Sequence, residues 1–245
     1  MYKPKEFLLT WLLLMVFFPI GAQTIKIAVA GNMRAVIHEI LAGYLIQNPT
    51  AKIEFILGAS GGLTQQIING AAFDMFVSAD KAYPDKLKSL GMTAGEVKTY
   101  AFGRLVIWSN TFDVSKGVEV LTHKSITRIA IANPGISPYG SRAVEMLKYY
   151  GIYDKVKPKL VYADNVAQCT QFAHSGNAQV AIMAQALVFS SGLKGNFIYP
   201  HRKSYKTVEQ ACVILKNGNK EKALKFMEYM LSDDCKPIFL KYGFE

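Results

Sequence analysis

Apolar and polar positions alternate, then repeat at helical spacing, and alternate again along most of this chain. Ile25, Ile27 and Val29 are separated by Lys26 and Ala28, which predicts a strand over 25–30. Gly31-Asn32 interrupts it. Val36, Ile37, Ile40, Leu41, Tyr44 and Leu45 then fall on one helical face, and Asn48-Pro49 closes that helix. Ile53–Leu57 is a second strand. It runs into Gly58-Ala59-Ser60-Gly61-Gly62 and at once into a helical pattern from Leu63 to Ile68. Asp74–Asp80 reads as a short buried strand with a polar exit, followed by a helix with Pro84 in its first turn and Gly91 past its end.

Strand, helix, strand, helix, strand, helix implies a parallel sheet with helices on its faces. Leu105–Trp108 opens a second block. It continues with a strand over 129–132, a helix from about Ser141 to Tyr150, a strand over 160–162 and a helix from Asn165 to Ser175, for which Asp164 is the expected N-cap. Strands over 180–183 and 210–215 and helices over 220–231 and 235–242 complete the pattern, with no low-complexity linker.

In such sheets ligands sit beyond the carboxyl ends of the strands. Gly31-Asn32 and Ala59-Ser60 both occupy such ends. Ser60 is placed to cap the following helix, and a helix N-terminus with a small-residue loop before it favours anions. No Gly-Lys-Ser/Thr follows, so this is not a P-loop.

Composition adds a compartment and a sign. Lys3 and Lys5 precede an uncharged run from Phe7 to Ile20, then Gly21-Ala22 before Gln23. This is the form of a secretory signal peptide, and the run is short of the roughly 20 residues a spanning helix needs. Residues 1–22 are therefore expected to be cleaved and the mature protein to be periplasmic. Across the 245 residues, 28 Lys and Arg stand against 18 Asp and Glu, a formal charge of +10. That field draws in anions. The lysines are scattered, with no block of five and no nucleic-acid motif, which argues against nucleic acid as a partner. Cys169, Cys212 and Cys235 are too few and dispersed for a disulfide scaffold, and read as buried thiols.

Catalytic and metal chemistry have thin support. His38, His123, His174 and His201 form no ligand cluster, and Asp74 and Asp80 have no third ligand spaced with them. Gly-Ala-Ser-Gly-Gly has the outline of a nucleophile elbow, which would make Ser60 a hydrolase serine with Asp164 and His201 as partners. A strand-to-helix turn explains the same residues without catalysis.

Several segments together resemble the periplasmic molybdate-binding proteins of ABC importers, the ModA family. They are Ile27-Ala28-Val29-Ala30-Gly31-Asn32, Gly58–Leu63 with Gln66-Ile67, and Asp74-Met75-Phe76-Val77-Ser78-Ala79-Asp80. Ile131-Ala132-Asn133-Pro134, Pro138-Tyr139-Gly140, Asp164-Asn165-Val166 and the ending Phe239-Leu240-Lys241-Tyr242-Gly243-Phe244 extend the likeness over nearly the whole mature chain, in order.

The resemblance implies a type II, Venus-flytrap periplasmic-binding-protein fold of two lobes, each a mainly parallel sheet flanked by helices. Residues 23–102 would begin the first lobe, 103–205 form the second and 206–245 return to the first. The oxyanion would sit between the lobes on Gly31, Asn32, Ser60, Tyr139 and Val166. Many members carry Ser where this chain has Asn32 and bind with a tyrosine where it has Ala184; Tyr139 here stands where those members have alanine. The Ala or Thr that the family has before the first polar residue is Gly31.

An ion that only accepts hydrogen bonds suits a site of neutral donors: the Ser60 and Tyr139 hydroxyls, the Asn32 amide and backbone N–H groups. With no carboxylate beside it, such a site is expected to reject protonated phosphate. The expected function is capture of molybdate, and of tungstate, for delivery to an ABC permease by a monomer with no cofactor, no bare metal cation and no catalysed reaction. Sulfate or another tetrahedral oxyanion is the alternative ligand.

Overall fold

The computed structural model describes residues 24–190 and 192–245. The expected signal peptide lies outside these described residues.

Strand β1 (Ile25–Ala30), helix α1 (Arg34–Gln47), β2 (Ile53–Gly58), α2 (Ser60–Ile68), β3 (Met75–Ser78), α3 (Ala82–Ser89) and β4 (Lys98–Gly103) come first. Next are β5 (Leu105–Ser109), β6 (Ile129–Ala132), α4 (Pro138–Tyr149), α5 (Tyr153–Val156), β7 (Leu160–Ala163), α6 (Val166–His174), β8 (Val180–Ala184), α7 (Gln185–Ser190) and β9 (Asn196–Ile198). The chain closes with β10 (Val208–Ile214), α8 (Lys220–Met230) and α9 (Lys236–Lys241).

These strands form two five-stranded sheets, ordered β2-β1-β3-β10-β4 and β7-β6-β8-β5-β9. Only Arg104 separates β4 in the first sheet from β5 in the second, and the chain returns between β9 and β10. The sheets are mixed, and in each three neighbouring strands run parallel. β1 runs parallel to β2 and β3, and β6 parallel to β7 and β8. β10 is antiparallel to β3 and β4, and β5 to β8 and β9. The reason is topological: β10 and β5 are the strands by which the chain enters each sheet from the other, so no βαβ crossover fixes their direction.

The first sheet is buried on both faces, and its strands sort side chains with a period of two. Ile27, Val29, Met75, Val77, Cys212 and Ile214 face a core shared with Val36, Ile37 and Ile40 of α1 and Phe226 of α8. Ala28, Phe76 and Val213, one residue out of phase, face Leu63 and Ile67 of α2 and Leu87 of α3. The second sheet has its own core around Ile107, Ile131, Ile182 and Trp108. Each fully buried large aliphatic or aromatic side chain contributes about 1.5–3 kcal/mol.

Helix starts differ in detail from expectation. Ala59, not Ser60, is the N-cap residue of α2. Asn165, not Asp164, caps α6, and its Oδ1 accepts from the N–H groups of Ala167 and Gln168, both at 3.0 Å. Helix α4 begins at Pro138, three residues before the expected Ser141, because Pro fits a first helical position. Strands β4 and β9 were not expected.

Candidate functional site

Five strand-to-helix junctions converge between the sheets. Ala30, Gly31 and Asn32 leave β1; Gly58, Ala59 and Ser60 leave β2; Ala79 leaves β3. Ser137, Pro138 and Tyr139 precede and open α4, and Val166 opens α6. Together they line a small, narrow cleft. All five expected site residues, Gly31, Asn32, Ser60, Tyr139 and Val166, lie in this lining, the first three from one sheet and the last two from the other. No Lys, Arg, His, Asp or Glu is among the lining residues. Two larger surface hollows, beside Tyr44 and Lys225 and beside Phe73 and Met92, involve elements of the first sheet alone.

Ser60 is buried and does not cap its helix. Its Oγ accepts from the Ala79 N–H at 3.0 Å, which leaves the hydroxyl proton for another acceptor. Helices α2 and α4 start without a side-chain cap. Their leading N–H groups therefore lack the usual local acceptor. One of them is already committed across the cleft: Gly61 donates to the Ile136 carbonyl at 2.8 Å. A Cβ at Gly61 would lie 2.8 Å from that oxygen, so only glycine permits this approach. The Val166 N–H is the first of α6 and has no intrahelical acceptor.

Asn32 and Tyr139 meet a residue absent from the sequence reading. Gln210, fully buried in β10, accepts on Oε1 from Asn32 Nδ2 at 2.8 Å and from the Tyr100 hydroxyl at 2.9 Å. Its Nε2 donates to the Tyr139 hydroxyl at 3.3 Å. Asn32 Oδ1 is buried without a partner among the described residues, one neutral acceptor in an otherwise donor-rich site. Burial is the main cause that raises the Tyr139 phenol far above its ordinary value; Tyr205 adds to it, while hydrogen bonds from Gln210 and Asn32 oppose it. Tyr139 is thus a neutral hydroxyl at every physiological pH.

The lobes also touch at a charged pair. Arg142 of α4 meets Asp80, just beyond β3, at 2.6 Å. Asp80 was weighed as a metal ligand from sequence; here it accepts from Arg142 and from the Ala82 N–H. Asp74 accepts from the backbone N–H groups of Lys26 and Asn219. Among the described residues no three His, Cys, Asp or Glu gather to hold a metal ion.

A hydrolytic triad does not assemble. His201 accepts from the Lys203 N–H on Nδ1 and is exposed, Asp164 is exposed, and neither lines the cleft with Ser60. Ser137, a further hydroxyl of the lining, was also not singled out; its place before Pro138 at the helix start was the available signal.

Two sheets joined by close crossings, with a small neutral cleft between their strand ends, define a two-lobed solute-binding protein of the second structural type. The chain belongs to the bacterial extracellular solute-binding proteins, whose family model matches residues 25–245, and among them to the ModA family. It is 32% identical to the molybdate-binding protein ModA of Rhodobacter capsulatus over 92% of this chain and 90% of that one. The periplasmic molybdate-binding protein of Azotobacter vinelandii superposes with a TM-score of 0.85 at 30% identity, covering 90% of this chain and 98% of the other. The substrate-binding domain of a molybdenum ABC transporter from Clostridium difficile, itself described as putative, superposes with a TM-score of 0.66 at 26% identity over 91% and 98%. No helix among the described residues is long and apolar enough to cross a membrane.

Proposed function

We propose that this protein captures molybdate, and tungstate, between its lobes and presents the closed, loaded form to an ABC permease. The observation that carries this reading is the cleft lining: neutral donors from both sheets and no ionisable side chain beside them. A tetrahedral dianion fills such a site with acceptors only. The oxyanion is held by the Ser60 and Tyr139 hydroxyls, the Asn32 side chain and backbone N–H groups at Gly31 and Val166. The relatives' printed descriptions support molybdate as the ion.

In the same reading, residues 23–102 and 206–245 form one lobe and 103–205 the other, which agrees with how the strands divide between the sheets. The protein acts as a monomer in the periplasm after cleavage near Ala22–Gln23. It uses no cofactor and catalyses no reaction, consistent with the separation of His201 and Asp164 from Ser60.

Thermal melting with molybdate, tungstate, sulfate and phosphate tests the assignment. A ligand at about 100-fold its Kd stabilises the folded state by roughly 2.7 kcal/mol. Molybdate and tungstate should raise the Tm and phosphate should not. A shift with sulfate alone would reassign the ligand.

A further inference from the structure

Gln210 does not line the cleft, yet it holds two of the residues that do. Its carbonyl oxygen accepts from Asn32 Nδ2 and shares the single Tyr100 hydroxyl proton with the Ser78 carbonyl, which lies 3.0 Å from that hydroxyl. The other end of the amide must then act as donor, and it donates to the Tyr139 oxygen. A phenol carries one proton. Having accepted from Gln210, Tyr139 keeps that proton for an acceptor in the cleft.

Two separate features are built around this contact. The β10–β4 register steps from Gln210 opposite Ala101 to Ala211 opposite Thr99, which leaves Tyr100 without a partner across the ladder. Such a bulge re-aims side chains, and here Tyr100 reaches Gln210. Gly103, at the end of β4 where the chain leaves for the second sheet, is the second feature. A Cβ there would collide with the Tyr139 hydroxyl and Gln210 Nε2. The crossing strand therefore passes directly over the Tyr139–Gln210 contact, and its glycine makes room for it.

We propose that Gln210 is a positioning residue for oxyanion binding: it anchors the Asn32 amide in one lobe and fixes the Tyr139 hydroxyl of the other lobe as a donor into the cleft. This inference rests on the proposed function, since it takes the bound anion as the acceptor of that proton. Gln210 joins donors 178 and 71 residues away in sequence, so it also ties the closed arrangement of the lobes to the polarity of the site.

The test is a double-mutant cycle with molybdate, read by titration calorimetry, alongside unliganded melting. Gln210→Leu should weaken binding about tenfold, the scale of one hydrogen bond to a charged group. In the Tyr139→Phe background the same change should cost at most about threefold, because the hydroxyl it orients is gone. Gln210→Glu keeps the shape but offers Tyr139 an acceptor and sets a negative charge near the anion. It should weaken binding more than Gln210→Leu at pH 8, and the deficit should shrink as the pH falls and the introduced carboxyl is protonated. Equal losses from Gln210→Leu in both backgrounds would reduce Gln210 to a structural residue and overturn the proposal, as would wild-type affinity in Gln210→Glu. Should Gln210→Leu not fold, the pH response of Gln210→Glu decides alone. Wild-type protein that binds no oxyanion would instead overturn the functional reading, and this inference with it.

Discussion

Arg142 and Asp80 close the cleft from opposite lobes, with guanidinium and carboxylate 2.6 Å apart and side chains only 13% and 16% exposed. Arg142 also pairs with Glu145 on its own helix, at 3.0 Å, so its charge stays partnered if the lobes separate. Asp80 has no second cation at this distance among the described residues, and its other contact is the Ala82 N–H. Opening the lobes would therefore cost Asp80 more than Arg142. Asp80→Asn should destabilise the closed form, raise the dissociation rate of molybdate and weaken affinity by about tenfold, the lower end for a charged hydrogen bond. Adding Arg142→Gln should not recover the loss, because Glu145 already partners the Arg142 charge and would itself be left without its cation. Stopped-flow release kinetics on the single and double variants check this, and an unchanged dissociation rate in Asp80→Asn would remove the pair from closure.

Ser60→Ala and Tyr139→Phe should each weaken molybdate binding by roughly tenfold to a hundredfold, since each removes a hydrogen bond to a charged group of about 1.5–3 kcal/mol. Their effects on the unliganded protein should differ from those of ordinary surface changes. Ser60→Ala strips the buried Ala79 N–H of its acceptor, and Tyr139→Phe strips Gln210 Nε2 of its own. A buried donor left unpaired costs about 1–3 kcal/mol, so both variants should also melt earlier without ligand. Calorimetry and melting together read the two effects. Intact affinity in both variants would mean that the ion sits elsewhere.

What the sequence made legible, and what it hid, follows from how local each signal is. Ile25, Ile27 and Val29 declare β1 because a strand buried on both faces still separates its neighbours by a period of two. Gly31, Asn32 and Ser60 could be placed at the cleft because small and polar residues stand there at strand ends, whereas Tyr139 and Val166 were named by the family resemblance alone. Strand β4 was hidden: Lys98, Thr99 and Phe102 are exposed, only Ala101 and Gly103 are buried, and the bulge at Tyr100 breaks the alternation. Gln210 was hidden for a different reason. It stands among apolar strand residues, and its partners Asn32, Tyr100 and Tyr139 are 178, 110 and 71 positions away, so nothing near it in sequence marks it as part of the site. The shift of the cap from Asp164 to Asn165 is a one-residue ambiguity between two good capping residues.

Glu39 supplies a pH dependence with a definite sign. Its carboxylate accepts from Lys241 Nζ at 2.8 Å and from the Tyr242 hydroxyl at 2.7 Å, tying α1 to the chain's closing helix. Those hydrogen bonds, Lys241 first, hold its pKa below the ordinary carboxyl value of 4.5. A depressed folded-state value contributes stability that is fully present above about pH 4.5 and is lost as the pH falls through the lowered value. The group is largely solvent-screened, so the effect is small. Glu39→Gln should melt slightly below wild type at pH 7, and the gap should close by pH 3. A gap of the same size at both values would assign the loss to packing instead of charge.

The three cysteines give the last prediction, which concerns an oxidising compartment. Cys169, Cys212 and Cys235 are all buried and unpaired. Burial pushes the Cys212 thiol up to about 12 and raises Cys169 and Cys235 as well. A thiol reacts as its thiolate, so at pH 8 each should be inert on two counts, low ionisation and no access. Native protein at pH 8 should therefore take up no thiol reagent over minutes, and protein unfolded without reductant should take up three equivalents per chain, one for each free cysteine. One equivalent after unfolding would reveal a disulfide. Rapid labelling of the native protein would place at least one of these side chains at the surface and would overturn their burial.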